Sequence, residues 1–539
     1  MNKRMRIKIS QQKHWAWLCI PLSVMLWHLP DIFASVGATG DRWLFYWYFL
    51  LGGACLAFTA AGAGLYLRQN GPEPGKLFLI TVLSLGVLYT IVLPPLSAPD
   101  EVSHYITAYD LSSRMLGQKS EGENGKFQIR ASEAWLEDVT DQRPDDGSDG
   151  GKTAVVLGHT LTEDTYAKIW ENMGNKNGIH DTAYSYQADV RTTPVAYLPQ
   201  AVGFAAARIL GLGSLELLWC GRLMNLVFFA LCGAWTIKHL PFGKEIFFGV
   251  SLLPMNLHLV SSLSYDVLLL GLGGCFTALC LELTYVKERT EWKDIALLSL
   301  FMACMGPCKM VYGLMAGLCL LIPVRKFGGF RRWILSALSV AGAYCAAMLM
   351  VNRGTVASYT QAGESYIDWA GETGYTLAEL IHRPFYVIRL CYNTIAWQGE
   401  HLFTGMLGGN LGNLDPVLNT PFVLLIAFAA ILLLVSVREK GEKVYMSLGH
   451  KVWIWVLSLV ILGALMFSML LAWTPRNAVM IQGVQGRYLL PLLPALLMTV
   501  RSHSLEIVPG KRKGFLFGMV ILNIWVLLRL FAVVCLRIS

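Results

Sequence analysis

The chain has 539 residues, 55% hydrophobic and only 15% charged, and its mean hydropathy is positive. That balance excludes an ordinary soluble protein of this length and describes a polytopic membrane protein. The formal charge of +8 does not point to nucleic acid, because Lys and Arg concentrate in short connections between apolar runs, where positive-inside bias places them.

About thirteen apolar runs near the length of a bilayer crossing recur from Trp15 to the C-terminus, some of them short or broken by proline, so an all-α bundle is expected. The N-terminus carries Lys3, Arg4, Arg6, Lys8 and Lys13 before an apolar stretch with small residues near Ala34 to Ala38. It resembles a signal peptide, and the reading favoured is an uncleaved first span with the N-terminus in the cytoplasm. Residues 15–33 then run outward, 43–67 return, and 77–93 deliver Asp100 to the outer face. The polar stretch 97–193 is a large first outer loop with short helices, and its Gly/Asp-rich portion 141–152 reads as exposed loop. Residues 193–212 carry Pro194, Pro199 and Arg208 and are expected at the interface.

Residues 221–237 run inward, 245–261 outward and 264–286 inward again. A short hairpin of 294–306 and 310–323 follows, with Lys309 near its outer tip. After 333–350 comes a second outer segment, 353–420, in which 376–397 is a helix lying on the membrane. Residues 421–437, 452–473, 488–500 and 514–534 complete the bundle. On this scheme every strongly basic loop falls inside: Lys287, Arg289 and Lys293; Arg325, Lys326, Arg331 and Arg332; Arg438, Lys440 and Lys443; Lys511, Arg512 and Lys513. The twelve cysteines lie almost all in apolar runs, with neither a disulfide framework nor zinc spacing.

The stretch Leu-Pro-Pro-Leu-Ser-Ala-Pro-Asp-Glu-Val-Ser-His-Tyr from Leu93 leaves an apolar run and opens a helix. Ser97 is the expected cap and Pro99 suits the first turn, where the helix dipole stabilises the carboxylates of Asp100 and Glu101. Spacings of four and three residues put Asp100, Glu101 and His104 on one side, able to meet a substrate arriving from the lipid surface. A capped helix start without chemistry is the plainer reading.

With this topology Asp100, Glu101, His104, Arg222, Tyr265, Asp266, Lys309, Gln485, Arg487 and Tyr488 gather at the outer ends of the spans. A charge in the apolar zone costs about 2.5–3.5 kcal/mol on insertion scales, so such residues usually have a partner or a task. Arg222, Lys309 and Arg487 together suit a phosphate, with carboxylates beside them to deprotonate a hydroxyl. Each also has a structural alternative: Arg222 pairing with Asp266, Lys309 snorkelling to headgroups, Arg487 anchoring at the interface beside Tyr488.

Seven pieces carry a resemblance: Pro-Asp-Glu-Val-Ser-His-Tyr, Pro-Val-Ala-Tyr-Leu-Pro-Gln, Gly-Arg-Leu-Met-Asn, Ser-Ser-Leu-Ser-Tyr-Asp, Lys-Met-Val-Tyr, Leu-Gly-Asn-Leu-Asp and Gln-Gly-Arg-Tyr-Leu-Leu-Pro. In this order they resemble the bacterial membrane family called domain of unknown function 2142, over about residues 77–500. That family is similar to the GT-C superfamily of membrane glycosyltransferases, which take sugar from a polyprenyl-phosphate carrier and use a carboxylate in the first large outer loop. The resemblance implies a GT-C-like module over 77–352, preceded by an accessory hairpin at 1–76 and followed by the segment 353–420 and the C-terminal spans 421–539. One departure is that two spans precede the loop, where many GT-C enzymes have one.

The implied activity is inverting transfer of a sugar from polyprenyl phosphate to a glycan or other cell-envelope acceptor, at the outer face of the bacterial cytoplasmic membrane. Asp100 is then the base, Glu101 or His104 orients base or acceptor, and Lys309 and Arg487 hold phosphate. Arg222 and Asp266 support them, and Tyr197, Tyr265, Gln485 and Tyr488 line the substrate. A monophosphate donor needs no metal, whereas a pyrophosphate donor would bring Mg2+ or Mn2+, with Asp100, Glu101, His104 and Asp266 as candidate ligands. Two other classes stand beside this reading: a transporter or flippase of lipid-linked sugars, and a non-catalytic scaffold of envelope assembly.

Overall fold

Long apolar runs without internal partners must satisfy their own backbone in a bilayer, and helices are the local solution. The computed structural model describes residues 16–68, 71–120, 127–138, 163–185, 193–353, 366–367, 369–409, 411–412, 418–443, 445–502 and 504–535. The basic residues Lys3 to Lys13, the 141–152 loop and the Asn413 to Asp415 end of one motif lie outside these. Among the described residues eight helices are long and apolar enough to cross a membrane: Ala16–Thr39, Arg42–Tyr66, Pro74–Val92, Ser214–His239, Asp266–Tyr285, Phe330–Val351, Leu448–Trp473 and Arg512–Val534.

The other five apolar runs take shorter forms. Residues 245–261 split into two helices, Lys244–Ser251 and Pro254–Val260. The cause is local: Pro254 lacks an N–H and turns Leu253 to an extended conformation (φ −63°, ψ 138°). Asn256 Nδ2 then donates to the freed carbonyl of Ser251 at 3.1 Å. Pro491 and Pro494 likewise reduce 488–500 to a 3-10 turn, Gly486–Leu489, and a short helix, Leu493–Met498. Trp292–Met305 and Phe422–Ser436 are helices of 14 and 15 residues, and Met310–Leu321 winds as a 3-10 helix. The expected interfacial segment is a 12-residue helix, Leu198–Ile209, behind the 3-10 turn Pro194–Tyr197.

In the first polar loop the helices Glu101–Met115, Ala134–Asp138 and Glu163–Asn172 appear, with one antiparallel strand pair, Gln128–Arg130 against Thr182–Tyr184. Ile129 stands opposite Ala183 in its register. The second segment gives a capped turn, Leu377–His382, where Thr376 Oγ1 accepts from Glu379 N, and a 24-residue helix, Pro384–Leu407.

Lipid offers no hydrophobic reward for helix association, so close backbone approach and buried hydrogen bonds hold the bundle. Leu198–Ile209 lies against Ser214–His239 so closely that a Cβ on Gly203 would stand 2.4 Å from the carbonyl oxygen of Cys220. Asn523, in the last helix, closes the far side: it accepts from Tyr89 OH at 2.9 Å and donates to Leu252 O at 2.8 Å. Replacing Gly203 by Ala should therefore lower stability by about 1–3 kcal/mol, the usual cost of overpacking. Gly53→Ala, on a helix face with nothing within 4 Å, should be neutral or stabilising. Melting temperatures of the two variants in detergent make the comparison, and equal losses would contradict the close crossing.

Candidate functional site

The segment between Pro74–Val92 and Glu101–Met115 is coiled tightly. Leu96 (φ 55°) and Asp100 (φ 58°) are the two non-glycine residues with positive φ among the described residues, and both lie within it. Such conformations cost roughly 1–3 kcal/mol each and persist only when surrounding contacts impose them. Ser97, the expected cap, does not cap: its hydroxyl donates to Pro94 O at 2.8 Å, and the helix begins at Glu101 with Asp100 in the left-handed position before it. The turn is tied instead by Glu101, whose Oε2 accepts from Ala98 N at 3.1 Å.

Glu101 and Arg222 form a doubly bonded, fully buried ion pair: Nε to Oε1 at 2.9 Å and Nη2 to Oε2 at 2.7 Å. Leu263 N also donates to Oε1, at 3.0 Å, so four donors surround the carboxylate. The guanidinium is saturated too, giving its remaining N–H groups to the carbonyls of Leu93 at 3.0 Å, Pro94 at 2.9 Å and, at 3.4 Å, Thr90. Arg222 is thus paired with Glu101 and not with Asp266, and its donors are all taken up inside the chain.

The loop 261–265 is pinned by the same logic. Asn225 Nδ2 donates to the carbonyls of Ser262 (2.8 Å) and Ser264 (3.1 Å), and Gln200 Nε2 reaches Leu263 O at 3.2 Å. This holds Asp266 at the head of its helix. Asp266 Oδ1 accepts from Lys309 Nζ at 2.7 Å, and its Oδ2 lies 3.5 Å from Arg487 Nε. Lys309 does not snorkel: its ammonium sits 3.9 Å from the centre of the Tyr488 ring and 5.2 Å from that of Tyr265, both within cation–π range. Tyr312 fixes the Tyr488 backbone by donating to its carbonyl at 2.5 Å.

Arg487 follows Gly486, where a Cβ would meet Leu402 O at 1.9 Å, so only glycine lets this turn lie against Pro384–Leu407. Its guanidinium is 6% exposed, and Nη2 reaches Asp100 Oδ2 at a long 3.4 Å. Nη1 is buried with no hydrogen-bond partner among the described residues, and Nε has only the 3.5 Å ion contact to Asp266, without a hydrogen bond. Native structures seldom leave such donors unmet. Asp100, by contrast, is 62% exposed.

His104 completes the cluster. Its Nδ1 shares a 2.8 Å hydrogen bond with Tyr197 OH, and its ring meets Tyr265 edge-on at 5.1 Å. Burial pushes the imidazole pKa down to about 4, against the opposing pull of Asp100 and Asp266, so the ring is neutral at physiological pH.

Asp100, Glu101 and His104 share one turn, but each faces a different partner. Asp100 meets Arg487, Glu101 meets Arg222, and His104 meets Tyr197. Gln485 is half-buried and stands just before the turn that carries Arg487, where its backbone carbonyl accepts from Tyr488 N and its side chain makes no cap hydrogen bond. Gln200, Asn225 and Tyr312 also belong to the site, and the one signal for them in the sequence is that each ends one of the seven motifs. Among the described residues no group of three or more His, Cys, Asp or Glu side chains is placed to hold a metal ion. Glu101 and Asp266 already answer Arg222 and Lys309, so the candidate ligand set does not converge.

An all-helical membrane protein with a paired-charge site at one end of its spans is the class defined so far. The chain belongs to DUF2142, a family described as predicted membrane proteins, whose model matches residues 83–496. No curated protein and no solved structure matches it.

Glu101→Gln keeps the shape but leaves Arg222 buried and unbalanced, a loss expected to cost about 3–5 kcal/mol. Asp100→Asn, at an exposed position, should leave thermal stability nearly unchanged. Equal melting temperatures for the two variants would contradict the structural role of the buried pair.

Proposed function

We propose that this protein is a membrane glycosyltransferase of GT-C type that moves a sugar from a polyprenyl-phosphate carrier to a cell-envelope acceptor. The supporting observation is the Arg487 guanidinium, whose buried Nη1 has no hydrogen-bond partner among the described residues and whose Nε has only the 3.5 Å ion contact to Asp266, beside the Lys309 ammonium and within reach of an exposed, strained Asp100. A lipid phosphate would supply acceptors for Nε and Nη1. It would also draw Arg487 away from the long contact with Asp100 and leave that carboxylate free to accept a proton.

In inverting transfer the acceptor hydroxyl loses its proton to Asp100, and its oxygen bonds to the anomeric carbon. The bond from that carbon to the phosphate oxygen breaks, and the phosphate leaves with the electron pair. Arg487 and Lys309 stabilise the charge that develops on the leaving group. Asp266 holds the two cations together, and Glu101 with Arg222 holds the turn. His104, neutral and bonded to Tyr197, lines the site and orients the acceptor. The residues present suit a monophosphate donor, and no step needs a metal.

The topology that fits this reading puts the site at the outer face of a bacterial cytoplasmic membrane, with the N-terminus inside and the shorter helices completing about thirteen crossings. A single cysteine near Gly371 or Gly483 should then react with an impermeant thiol reagent on intact cells, and one near Gly328 or Gly441 should not. Background from Cys391 is removed first, and the reverse labelling would overturn the orientation.

The chemistry is tested by offering purified protein a panel of polyprenyl-phosphate sugars and measuring sugar transfer. Asp100→Asn should lower the rate by roughly 10²–10⁴ with donor binding retained, the range for loss of a general base. Arg487→Lys should weaken donor use, because an ammonium cannot grip two phosphate oxygens as a fork. Full activity in Asp100→Asn, or carrier translocation without sugar release by the wild type, would reject the proposal.

A further inference from the structure

The Asp266–Tyr285 helix has its first residue in the site described above, and its 20 residues rise about 30 Å, the thickness of a bilayer's hydrocarbon core. Two cavities of opposite character lie at its other end. One, of about 370 Å³, is lined by Val286, Lys287, Glu288, Arg289, Arg325 and Lys326. The other, of about 140 Å³, is an almost wholly apolar groove between Trp292–Met305, Met310–Leu321 and Phe330–Val351, with Leu298, Cys319, Phe327, Trp333 and Val340 among its walls. The single turn Val324–Phe327 joins them: Arg325 and Lys326 line the basic cavity, while Phe327, with Ile322 just before the turn, lines the groove.

Two of the four cations of the basic cavity are fixed in place. Lys326 Nζ donates to the carbonyls of Leu283, Thr284 and Lys287, each at 2.8 Å, so it closes the C-terminal end of the long helix. Lys287 is held by Asp294 at 2.6 Å. Arg289 and Arg325 are exposed and form no ion pair among the described residues. Four cations therefore face two carboxylates, Glu288 and Asp294, which leaves the cavity positive. Basic loops alone are explained by positive-inside bias, but that bias asks for no groove. A charged pocket opening beside an apolar channel at membrane depth matches an amphiphile with an anionic head.

We propose that this end of the bundle binds one anionic phospholipid, its headgroup phosphate on Arg289 and Arg325 and one acyl chain in the groove under Phe327 and Trp333. The lipid sits in the leaflet opposite the site of Asp100 and fastens the two short elements, Trp292–Met305 and Met310–Leu321, to Phe330–Val351. This inference does not depend on the proposed transfer reaction. A free phosphate would satisfy the cations but leave the groove empty, which separates the two sources of the same headgroup chemistry.

The experiment uses full-length protein in detergent, titrated with phosphatidylglycerol, phosphatidylcholine or inorganic phosphate and read by native mass spectrometry and melting temperature. Phosphatidylglycerol should be retained one per chain and raise the melting temperature, and phosphatidylcholine should do neither. Arg289→Gln with Arg325→Gln should weaken retention roughly tenfold or more, since each cation near the surface contributes to anionic lipid attraction. Ala337→Trp, which fills the groove from an exposed position on the Phe330–Val351 helix, should weaken it as well. Both variants are compared at matched melting temperature in phosphatidylcholine, so misfolding is read separately. Equal retention of the two lipids, unchanged retention in the double variant, or full competition by inorganic phosphate with no effect of Ala337→Trp would overturn the proposal.

Discussion

The buried pair of Glu101 and Arg222 is the interaction on which the rest of the site depends. Its two members are 121 residues apart, yet between them they tie four pieces of chain: the coil after Pro74–Val92, the start of Glu101–Met115, the Ser214–His239 helix and the loop at Leu263. Burying two charges is costly, and only full hydrogen bonding makes it tolerable. Here the carboxylate receives four donors and the guanidinium spends its own on carboxylate and carbonyls.

That closure places the strain. With Ala98 N drawn to the Glu101 carboxylate, the turn from Ala98 to Glu101 is tight, and Asp100 within it is left in the left-handed region with its side chain largely exposed. One acid of the pair is consumed by structure so that its neighbour is presented. The opposite wall is built on separate supports, Gly486 against the Leu402 carbonyl and Tyr312 under Tyr488, which carry Arg487 and the aromatic bed of Lys309. The two walls meet through Asp266 and through the long, weak contact from Arg487 to Asp100.

Much of this was legible in the chain, for a definite reason. Each polar motif interrupts an apolar run, so its position at the end of a span is written in the pattern, and six of the seven motifs meet in the described site. The eight longest spans were legible on the same ground. What could not be read was pairing: nothing in the sequence around Arg222 distinguishes Glu101 from Asp266 as its partner, and the structure pairs it with Glu101. The helix start was misplaced because Ser97 and Pro99 satisfy every local rule for a cap, whereas the Ser97 hydroxyl turns back to Pro94 O and the Glu101 carboxylate, fixed by Arg222 far along the chain, closes the turn on Ala98 N. The 245–261 run reads as one span until the lost N–H of Pro254 is weighed against its hydropathy, and the same holds for Pro491 and Pro494.

Arg487 and Lys309 are the proposed holders of a lipid phosphate. A density map of the full-length protein with a polyprenyl phosphate bound tests this most directly. It should place the phosphate between the two cations, with oxygens about 2.7–2.9 Å from Arg487 Nη1 and Nε, and should show the contact between Arg487 and Asp100 opened. A phosphate bound elsewhere, with both guanidinium donors still without a hydrogen bond, would contradict it.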